Sequence, residues 1–268
     1  MSSLSATSTL VLIRGAGDLA SGTAHRLFRC GFRVVMTEVA EPLAVRRSVA
    51  FATAVYEGTA TVCGVTARVA ESVPATFDGG WIPVLVDPEA SCRRTLSPPV
   101  LVDARLLKKG IETRLADAPL VIGLGPGFTA GVHAHAVIET NRGHDLGRIV
   151  TEGEAEPDTG IPGDIDGVTW QRFLRAPTDG VFESDRRIGD AVAAGDRVGS
   201  VQGAPVVAAV SGILRGLLRP GLRVPAGMKL GDVDPRARRE HCFTLSDKAR
   251  TVSGAVLEAI LAWLAGRQ

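Results

Sequence analysis

The chain has 268 residues, 45% of them hydrophobic and 22% charged, and its 30 basic and 29 acidic side chains leave a formal net charge of +1. This is the composition of an ordinary globular protein. The balanced charge argues against a nucleic-acid-binding surface, and no apolar run reaches the length of a membrane span. Because the N-terminus lacks the basic and apolar segments of a secretory signal, we expect a cytoplasmic protein that binds neither nucleic acid nor membrane.

The first motif is a glycine turn between a buried strand and a helix. Residues 10–13 are continuously apolar, as in a strand covered on both faces. The pattern G-x-G-x-x-A follows at residues 15–20, where small residues allow a sharp turn and aim the first amides of a helix at a pyrophosphate. The predicted cofactor-binding residues of this turn are Arg14, Gly15, Ala16, Gly17, Asp18 and Leu19.

Charged residues near the turn leave the identity of the ligand open. Glu38 follows a second predicted strand at 32–36 and lies 21 residues beyond Gly17, close to the spacing at which an acid meets a ribose hydroxyl. Arg46 and Arg47 either hold a 2′-phosphate or lie on a solvated helix face, so NAD and NADP both stay open. Asp18 either caps the helix or faces a ligand that brings a cation, and in the plainest interpretation the turn binds nothing.

Further strands and helices are predicted to follow in alternation. A hairpin with a tight turn at Cys63 and Gly64 is predicted within residues 55–69, strands at 82–87, 100–105 and 120–123, and a helix at 106–115. Two of the strands run into Asp87 and Asp103, at the carboxyl ends where parallel sheets present ligand groups. The alternation predicts an α/β fold, with a Rossmann-like, doubly wound parallel sheet in a nucleotide-binding domain over residues 1–150.

A second glycine-rich loop follows the strand at 120–123, with four glycines in nine residues. Such a loop indicates a very tight turn or a backbone that another group approaches closely. Gly125, Pro126 and Gly127 are therefore predicted to bind the same ligand, beside the first turn. His133 and His135 come next, but no partners for a metal are evident, so we expect loop histidines and no metal site.

The second half contains an internal repeat. Residues 151–175 form a connecting segment, and residues 176–201 then align without gaps on 208–233, with glycines at matching positions. The repeat resembles the biotinyl/lipoyl carrier (barrel-sandwich) fold and predicts a β domain over 176–235. The hairpin joining the copies, 202–206, holds no lysine, and Lys229 lies within the second copy, so we expect neither biotin nor lipoate.

Residues 236–268 are predicted to form a tail and a C-terminal helix. Ser246 and Asp247 are suitable cap residues, and an apolar stripe follows them at helical spacing. We expect this helix to pack against the first domain or against a second copy of the chain, which leaves a homo-oligomer open.

Eight stretches carry a family resemblance over nearly the whole chain. They lie at residues 13–20, 36–39, 42–47, 122–131, 137–148, 158–163, 227–236 and 246–250. In these stretches the chain resembles the YqeB-type accessory proteins of selenium-dependent molybdenum hydroxylase systems, which are more distantly related in role to maturation factors of xanthine and carbon monoxide dehydrogenases. The resemblance implies maturation or supply of the hydroxylase active site, in association with the hydroxylase or its cofactor-supply proteins. It implies no particular reaction and no catalytic residue.

Three hypotheses about function follow. In the first, the chain is a maturation factor that binds a dinucleotide or the nucleotide form of the molybdenum cofactor at its glycine loops. In the second, it is an NAD(P)-dependent oxidoreductase, which requires a proton donor; the sole tyrosine, Tyr56, is not part of a Tyr-x-x-x-Lys pattern. In the third, it is a non-enzymatic protein whose repeat docks a partner. Whether the chain is an enzyme stays open.

Overall fold

The structure, a computed structural model, describes residues 9–77, 79–158, 160 and 163–266. These residues form two compact units. Unit 1 contains the described parts of Met1–Pro42, Ala50–Thr159 and Leu245–Gln268, and unit 2 contains Leu43–Val49 together with the described parts of Gly160–Thr244. The C-terminal helix therefore belongs to unit 1, and the short segment that follows Pro42 belongs to unit 2.

The described residues form four α-helices, all of them in unit 1. They are α1 (Asp18–Arg29), α2 (Thr53–Glu57), α3 (Arg93–Leu96) and α4 (Asp247–Leu264). Helix α4 begins as predicted, because the Ser246 hydroxyl accepts a hydrogen bond from the amide of Ala249 and so caps its first turn. None of these helices combines the length and the apolar character that a bilayer crossing requires.

Most strands of unit 1 form one mixed sheet. The described strands of unit 1 are β1 (Leu10–Arg14), β2 (Arg33–Glu38), β3 (Thr59–Val62), β4 (Val65–Ala70), β5 (Ile82–Val86), β6 (Val100–Asp103), β7 (Leu120–Leu124), β8 (Thr129–Ala130), β9 (Ala136–Ile138), β10 (Ile149–Val150) and β11 (Gly153–Glu154). Nine of them pair in the order β10-β9-β7-β6-β1-β2-β5-β4-β3, and β8 pairs separately with β11. The outer pairs, β3 with β4 and β9 with β10, are antiparallel, whereas the pairs between them are parallel.

The strands predicted from apolar runs are confirmed. β1, β2, β5, β6 and β7 occupy the predicted positions, and most of their side chains are buried, as continuous apolar sequences require in a sheet covered on both faces. The predicted hairpin is β3 and β4, and both residues of its turn, Cys63 and Gly64, have positive φ, at 46° and 83°.

The faces of this sheet are covered in different ways. Helices α1 and α4 pack against strands β1, β2, β7 and β9. On the other face lies an apolar cluster that contains no residue of α1 or α4. Its strand residues include Leu12, Val35, Leu85, Leu101, Val121 and Val137. Loop side chains such as Ala90, Phe128 and Ala134 complete that cluster, so loops cover this face.

The predicted fold class is wrong. A doubly wound sheet has helices on both faces, whereas here loops cover one face and antiparallel strands extend the sheet at both ends. The predicted helix at 106–115 is also absent, because Leu106 and Gly110 both have positive φ, at 57° and 68°, which an α-helix does not accommodate. Apolar runs identify buried strands, but they do not determine which elements bury them.

Unit 2 consists of two four-stranded antiparallel sheets. Its strands are β12 (Phe173–Arg175), β13 (Gly180–Glu183), β14 (Ala191–Val192), β15 (Arg197–Val201), β16 (Ala204–Val207), β17 (Gly212–Leu217), β18 (Arg223–Val224) and β19 (Lys229–Asp234). They pair as β12-β19-β17-β14 and β16-β15-β13-β18. This arrangement does not support the predicted biotinyl/lipoyl-like unit as a clear barrel-sandwich.

The internal repeat itself is confirmed in the strand positions. β13, β14 and β15 begin at residues 180, 191 and 197, and β17, β18 and β19 begin at residues 212, 223 and 229, which is 32 residues later in each case. The copies exchange strands, since β14 pairs with β17 and β18 pairs with β13. Lys229 starts β19, where its ammonium lies 3.7 Å from the centre of the Phe173 ring.

Candidate functional site

The glycine turn lies at the carboxyl edge of the parallel strands in unit 1. Gly15 has a φ of +92°, and its amide donates a hydrogen bond of 2.8 Å to the carbonyl of Thr37 on β2. A Cβ at this position would lie 3.4 Å from the backbone of Ala104. That distance is an ordinary contact, so it is the positive φ that selects glycine, for a reason internal to the chain.

Glu38 contacts the turn directly, which the spacing alone did not predict. One oxygen of its carboxylate accepts a hydrogen bond of 2.8 Å from the amide of Ala16, and the other accepts one of 2.8 Å from the amide of Val39. Each carboxylate oxygen has two lone pairs, so both retain the capacity to accept a ligand hydroxyl. The structure thus brings the predicted acid and the predicted turn together.

Gly17 differs from Gly15 because its backbone conformation does not require glycine, although glycine is common at the N-cap of a helix. It is the N-cap residue of α1, with a φ of −64°, and it provides no side chain to cap the helix. Apart from Gly17 itself and its two chain neighbours, no heavy atom of the described residues lies within 4 Å of the position that a Cβ would take. Space is therefore open beside the N-terminus of α1, where the helix dipole favours an anion.

Lys248 is the residue near this turn that the glycine pattern missed. Gly22 of α1 packs against Ala249 of α4, with 3.0 Å between a Cβ at Gly22 and the Ala249 Cβ, and one turn later Arg26 Nε lies 2.9 Å from Ser253 Oγ. The two helices therefore run in the same direction, with their N-termini at the same end. Lys248, in the first turn of α4, is half-buried there.

The charge of Asp18 acts on Lys248, and the first turn of a helix by itself favours an acidic side chain such as Asp18. Burial lowers the pKa of Lys248, and the charge of Asp18 is the largest of the effects that oppose this lowering. The two side chains thus belong to one electrostatic group at the paired helix N-termini. A lysine within the stretch 246–250, which also carries the family resemblance, was the available signal in the sequence.

Replacing Lys248 with methionine is expected to stabilise the protein at pH 7. Because the folded-state pKa is lowered, the folded protein binds fewer protons than the unfolded chain between the two pKa values, and stability rises with pH through that window. The advantage of methionine should therefore disappear near pH 10.4, roughly the pKa of an unperturbed lysine. Urea unfolding at the two pH values measures it; an equal change for Lys109→Met, an exposed position, would contradict it.

Arg14, predicted to bind the ligand, takes part in a buried network beside the turn. Its Nη1 donates a hydrogen bond of 2.7 Å to Thr113 Oγ1, which in turn donates one of 2.6 Å to Asp103 Oδ2. Arg105 pairs with both oxygens of the same carboxylate, at 3.0 and 2.8 Å. Asp103 is completely buried and Arg14 is 3% exposed, so this network links the ends of β1 and β6.

The second glycine loop is shaped by the chain's own groups. The amide of Gly125 donates a hydrogen bond of 2.9 Å to the carbonyl of Ile138. A Cβ at Gly125 would lie 2.6 Å from Thr140 Oγ1, and one at Gly127 would lie 2.9 Å from the carbonyl oxygen of Leu107. The close approach expected at Gly125, Pro126 and Gly127 therefore exists, and it is made by residues of unit 1.

Arg46 and Arg47 belong to unit 2, not to the unit that holds the glycine turn. Arg46 Nη2 donates a hydrogen bond of 3.0 Å to the carbonyl of His241, and Arg47 Nε donates one of 2.9 Å to the carbonyl of Leu217. Both guanidinium groups therefore contact backbone carbonyls within unit 2.

Other candidate groups have local partners. The Nδ1 atoms of His133 and His135 accept hydrogen bonds of 3.0 Å from the amides of Thr129 and Val121. Among residues 9–77, 79–158, 160 and 163–266, no three His, Cys, Asp or Glu side chains are grouped as metal ligands. The hydroxyl of Tyr56 donates a hydrogen bond of 3.1 Å to the carbonyl of Pro42.

Comparison with known proteins gives one close relative. No family model matches the chain. An uncharacterized protein of Escherichia coli K12, named YqeB, is 49% identical over 255 residues, which cover 94% of this chain and 47% of that protein. The chain is similar to YqeB. This similarity confirms the resemblance seen in the eight stretches, and the chain spans about half the length of this relative.

Solved structures give weaker likenesses. The product-bound ectoine utilization protein EutE (DoeB) from Ruegeria pomeroyi is 16% identical with a TM-score of 0.26, and an aspartoacylase family protein from Mesorhizobium loti is 14% identical with a TM-score of 0.27. In each case 84% of both chains is covered. At these TM-scores the likeness assigns neither fold nor function to this chain.

Proposed function

We propose that the chain is an accessory protein of a selenium-dependent molybdenum hydroxylase system that binds a nucleotide-containing ligand at the glycine turn of unit 1. The similarity to YqeB supports the placement in that system. The observation that carries the ligand is the open space at Gly17, which lies at the N-terminus of α1 and beside the carboxylate of Glu38.

The groups at the turn suit the parts of a nucleotide. The N-terminus of α1 and the ammonium of Lys248 favour a phosphate, and Lys248 offsets the negative charge of Asp18. Glu38 has lone pairs for a ribose hydroxyl, which supports an unphosphorylated ribose. NAD and the nucleotide form of the molybdenum cofactor both present these groups, whereas NADP carries a phosphate in place of the 2′-hydroxyl. The proposed partners are the hydroxylase and its cofactor-supply proteins.

Ligand-dependent unfolding tests this proposal. NAD, NADP or the molybdenum cofactor nucleotide is expected to raise the midpoint temperature of thermal unfolding of the wild-type chain. At a ligand concentration of 100 times Kd, binding adds about 2.7 kcal/mol to the free energy of unfolding. Gly17→Val fills the open space and is expected to abolish the rise. Gly254→Val in α4, where an added Cβ meets only Arg26 at 3.9 Å, should leave it intact.

The outcomes separate the proposal from its alternatives. A wild-type midpoint unchanged by every one of these ligands would contradict nucleotide binding, and equal shifts for wild type and Gly17→Val would place binding elsewhere. Mass spectrometry of ligands retained through native purification would identify the bound species. Hydride transfer to a small carbonyl compound would favour an oxidoreductase instead, although the hydroxyl of Tyr56 is engaged with Pro42.

A further inference from the structure

Unit 1 contains a cavity of about 960 Å³ that the groups at the glycine turn do not account for. It lies at the carboxyl ends of β4 and β5, and residues of the segments 71–77 and 92–96 form its walls. Small-molecule pockets in proteins have volumes of about 300–1,000 Å³. The cavity therefore has the size of a ligand site, and it lies at the sheet edge where open parallel sheets bind their ligands.

The lining of this cavity is apolar with a small acidic part. Most lining residues are apolar, among them Val73, Phe77 and Leu85. The charged residues that line it are Glu71 and Asp87, and no lysine or arginine of the described residues joins them. Because two acids would repel a phosphate group, the cavity suits an uncharged, largely apolar group that carries hydrogen-bond donors.

The carboxylate of Asp87 is held in place by the turn that follows β5. Its Oδ1 accepts a hydrogen bond of 2.9 Å from the amide of Ser91, and its Oδ2 accepts one of 2.8 Å from the amide of Cys92. Burial acts to raise the pKa of Asp87, but the hydrogen bonds outweigh burial and hold the pKa below its usual value. Each oxygen has a second lone pair, so an ionised Asp87 can still accept a hydrogen bond from a ligand.

The cavity begins one strand away from Glu38. Val86, which lines the cavity, pairs with Glu38 across the parallel strands β5 and β2, so the two side chains project from the same face of the sheet. The amide of Asp87 then donates a hydrogen bond of 3.0 Å to the carbonyl of Glu38. Neighbouring strands lie about 4.8 Å apart, so the step from Glu38 to the cavity is about the width of one sugar ring.

Three neighbouring strands present the three chemistries of a nucleotide in order. The strands β1, β2 and β5 are adjacent in the sheet. The glycine turn follows β1 and leaves open space at a helix N-terminus, Glu38 ends β2, and the cavity lies at the end of β5. A phosphate, a ribose and a base are joined in the same order. Lys248 and the helix N-terminus suit the phosphate, whereas the acidic, apolar cavity suits the base.

We propose that this cavity binds the base of the nucleotide whose phosphate lies at the glycine turn, an inference that rests on the function proposed for that turn. The base supplies a flat apolar body. Adenine, cytosine and guanine also carry an exocyclic amine, which donates a hydrogen bond to the carboxylate of Asp87 or Glu71. Uracil and hypoxanthine carry oxo groups and no exocyclic amine, and an oxo oxygen finds no donor in a carboxylate.

Calorimetric titration of the full chain with mononucleotides tests the cavity. AMP and GMP are each compared with IMP, and CMP is compared with UMP, because each comparison isolates an exocyclic amine. Wild type is expected to bind at least one of AMP, GMP and CMP about tenfold more tightly than its comparison nucleotide. Ribose 5-phosphate, which has no base, is expected to bind more weakly than that preferred nucleotide.

Variants that fill the cavity test its position. Ser72→Trp and Thr95→Trp add bulk at two different walls, and both residues are exposed, so either variant serves if the other does not fold. Each is expected to weaken binding of the preferred nucleotide about tenfold and to leave binding of ribose 5-phosphate unchanged. Ser91→Trp, at an exposed serine that does not line the cavity, is the matched control and should bind as wild type does.

The outcomes separate this inference from the proposed function. Nucleotide binding that is lost in Gly17→Val but unchanged in both filling variants would overturn the cavity and leave the glycine turn standing. Equal binding within every comparison would overturn recognition of the base by the carboxylates. If no mononucleotide binds while NAD still raises the unfolding midpoint, the cavity alone is overturned. No binding of any nucleotide, NAD and the molybdenum cofactor nucleotide included, would overturn both.

Discussion

Asp103→Ala is expected to lower the free energy of unfolding by about 3–5 kcal/mol, the usual cost of removing one partner from a buried ion pair. The Asp103 carboxylate accepts hydrogen bonds from Arg105 and Thr113 and lies 3.8 Å from Arg14 Nη1. Arg105 keeps some solvent contact, with its side chain 18% exposed, whereas the side chain of Arg14 is 4% exposed. Without Asp103, the Arg14 cation stays buried and loses its principal compensating charge.

A double variant tests this explanation. The double variant Asp103→Ala with Arg14→Met removes the uncompensated cation. It should therefore lose less stability than Asp103→Ala alone. Asp145→Ala, which breaks an exposed ion pair with Arg148, should change stability by less than about 1 kcal/mol. Urea unfolding measures all three variants. A loss below about 1 kcal/mol for Asp103→Ala would show that the network contributes little.

Phe128→Ala is expected to lower the free energy of unfolding by about 3–5 kcal/mol, because Phe128 is fully buried in the apolar cluster between the unit 1 sheet and the loops that cover one of its faces. Its ring lies directly on Gly123 of β7, where an added Cβ would be 2.4 Å from the ring Cγ. Gly123→Ala should therefore cost about 1–3 kcal/mol by overpacking, although alanine is ordinarily accepted in a strand.

The two substitutions are expected to be coupled. Shortening Phe128 leaves room for the alanine Cβ, so the double variant should lose less stability than the sum of the single losses. The same glycine-to-alanine change at Gly254, inside α4, should instead raise stability by about 0.5–1 kcal/mol, because alanine is the better helix former. Additive losses at Gly123 and Phe128 would contradict the direct contact between them. Thermal unfolding followed by circular dichroism is sufficient for all four variants.

Local signals predicted the elements that depend on neighbouring residues. Apolar runs located the strands at the centre of the unit 1 sheet, the pair Cys63 and Gly64 located a hairpin turn, and Ser246 located the start of α4. The internal repeat predicted matching strand positions in unit 2. The helix predicted at 106–115 is absent, which shows the limit of such signals. Leu106 and Gly110 have positive φ there, which an α-helix does not accommodate.

The candidate site was predicted only in part. The pattern at residues 15–20 and the spacing to Glu38 identified groups that do meet at one sheet edge. Lys248 was not identified, because its proximity to Asp18 depends on two helices that are distant in the sequence and run in the same direction. Arg46 and Arg47 follow the second strand closely in the chain, yet they belong to unit 2.

By itself, the sequence determined which segments are buried strands, where the glycine turn lies, how the repeat is spaced and which family of proteins the chain resembles. Those properties depend on composition, on short-range periodicity and on similarity along the chain. Only the tertiary structure decided what covers the sheet, which glycines serve packing and which has open space beside it, and that Lys248 lies near Asp18 at the paired helix N-termini. These properties depend on contacts between residues far apart in the chain, for which a single sequence contains no direct signal.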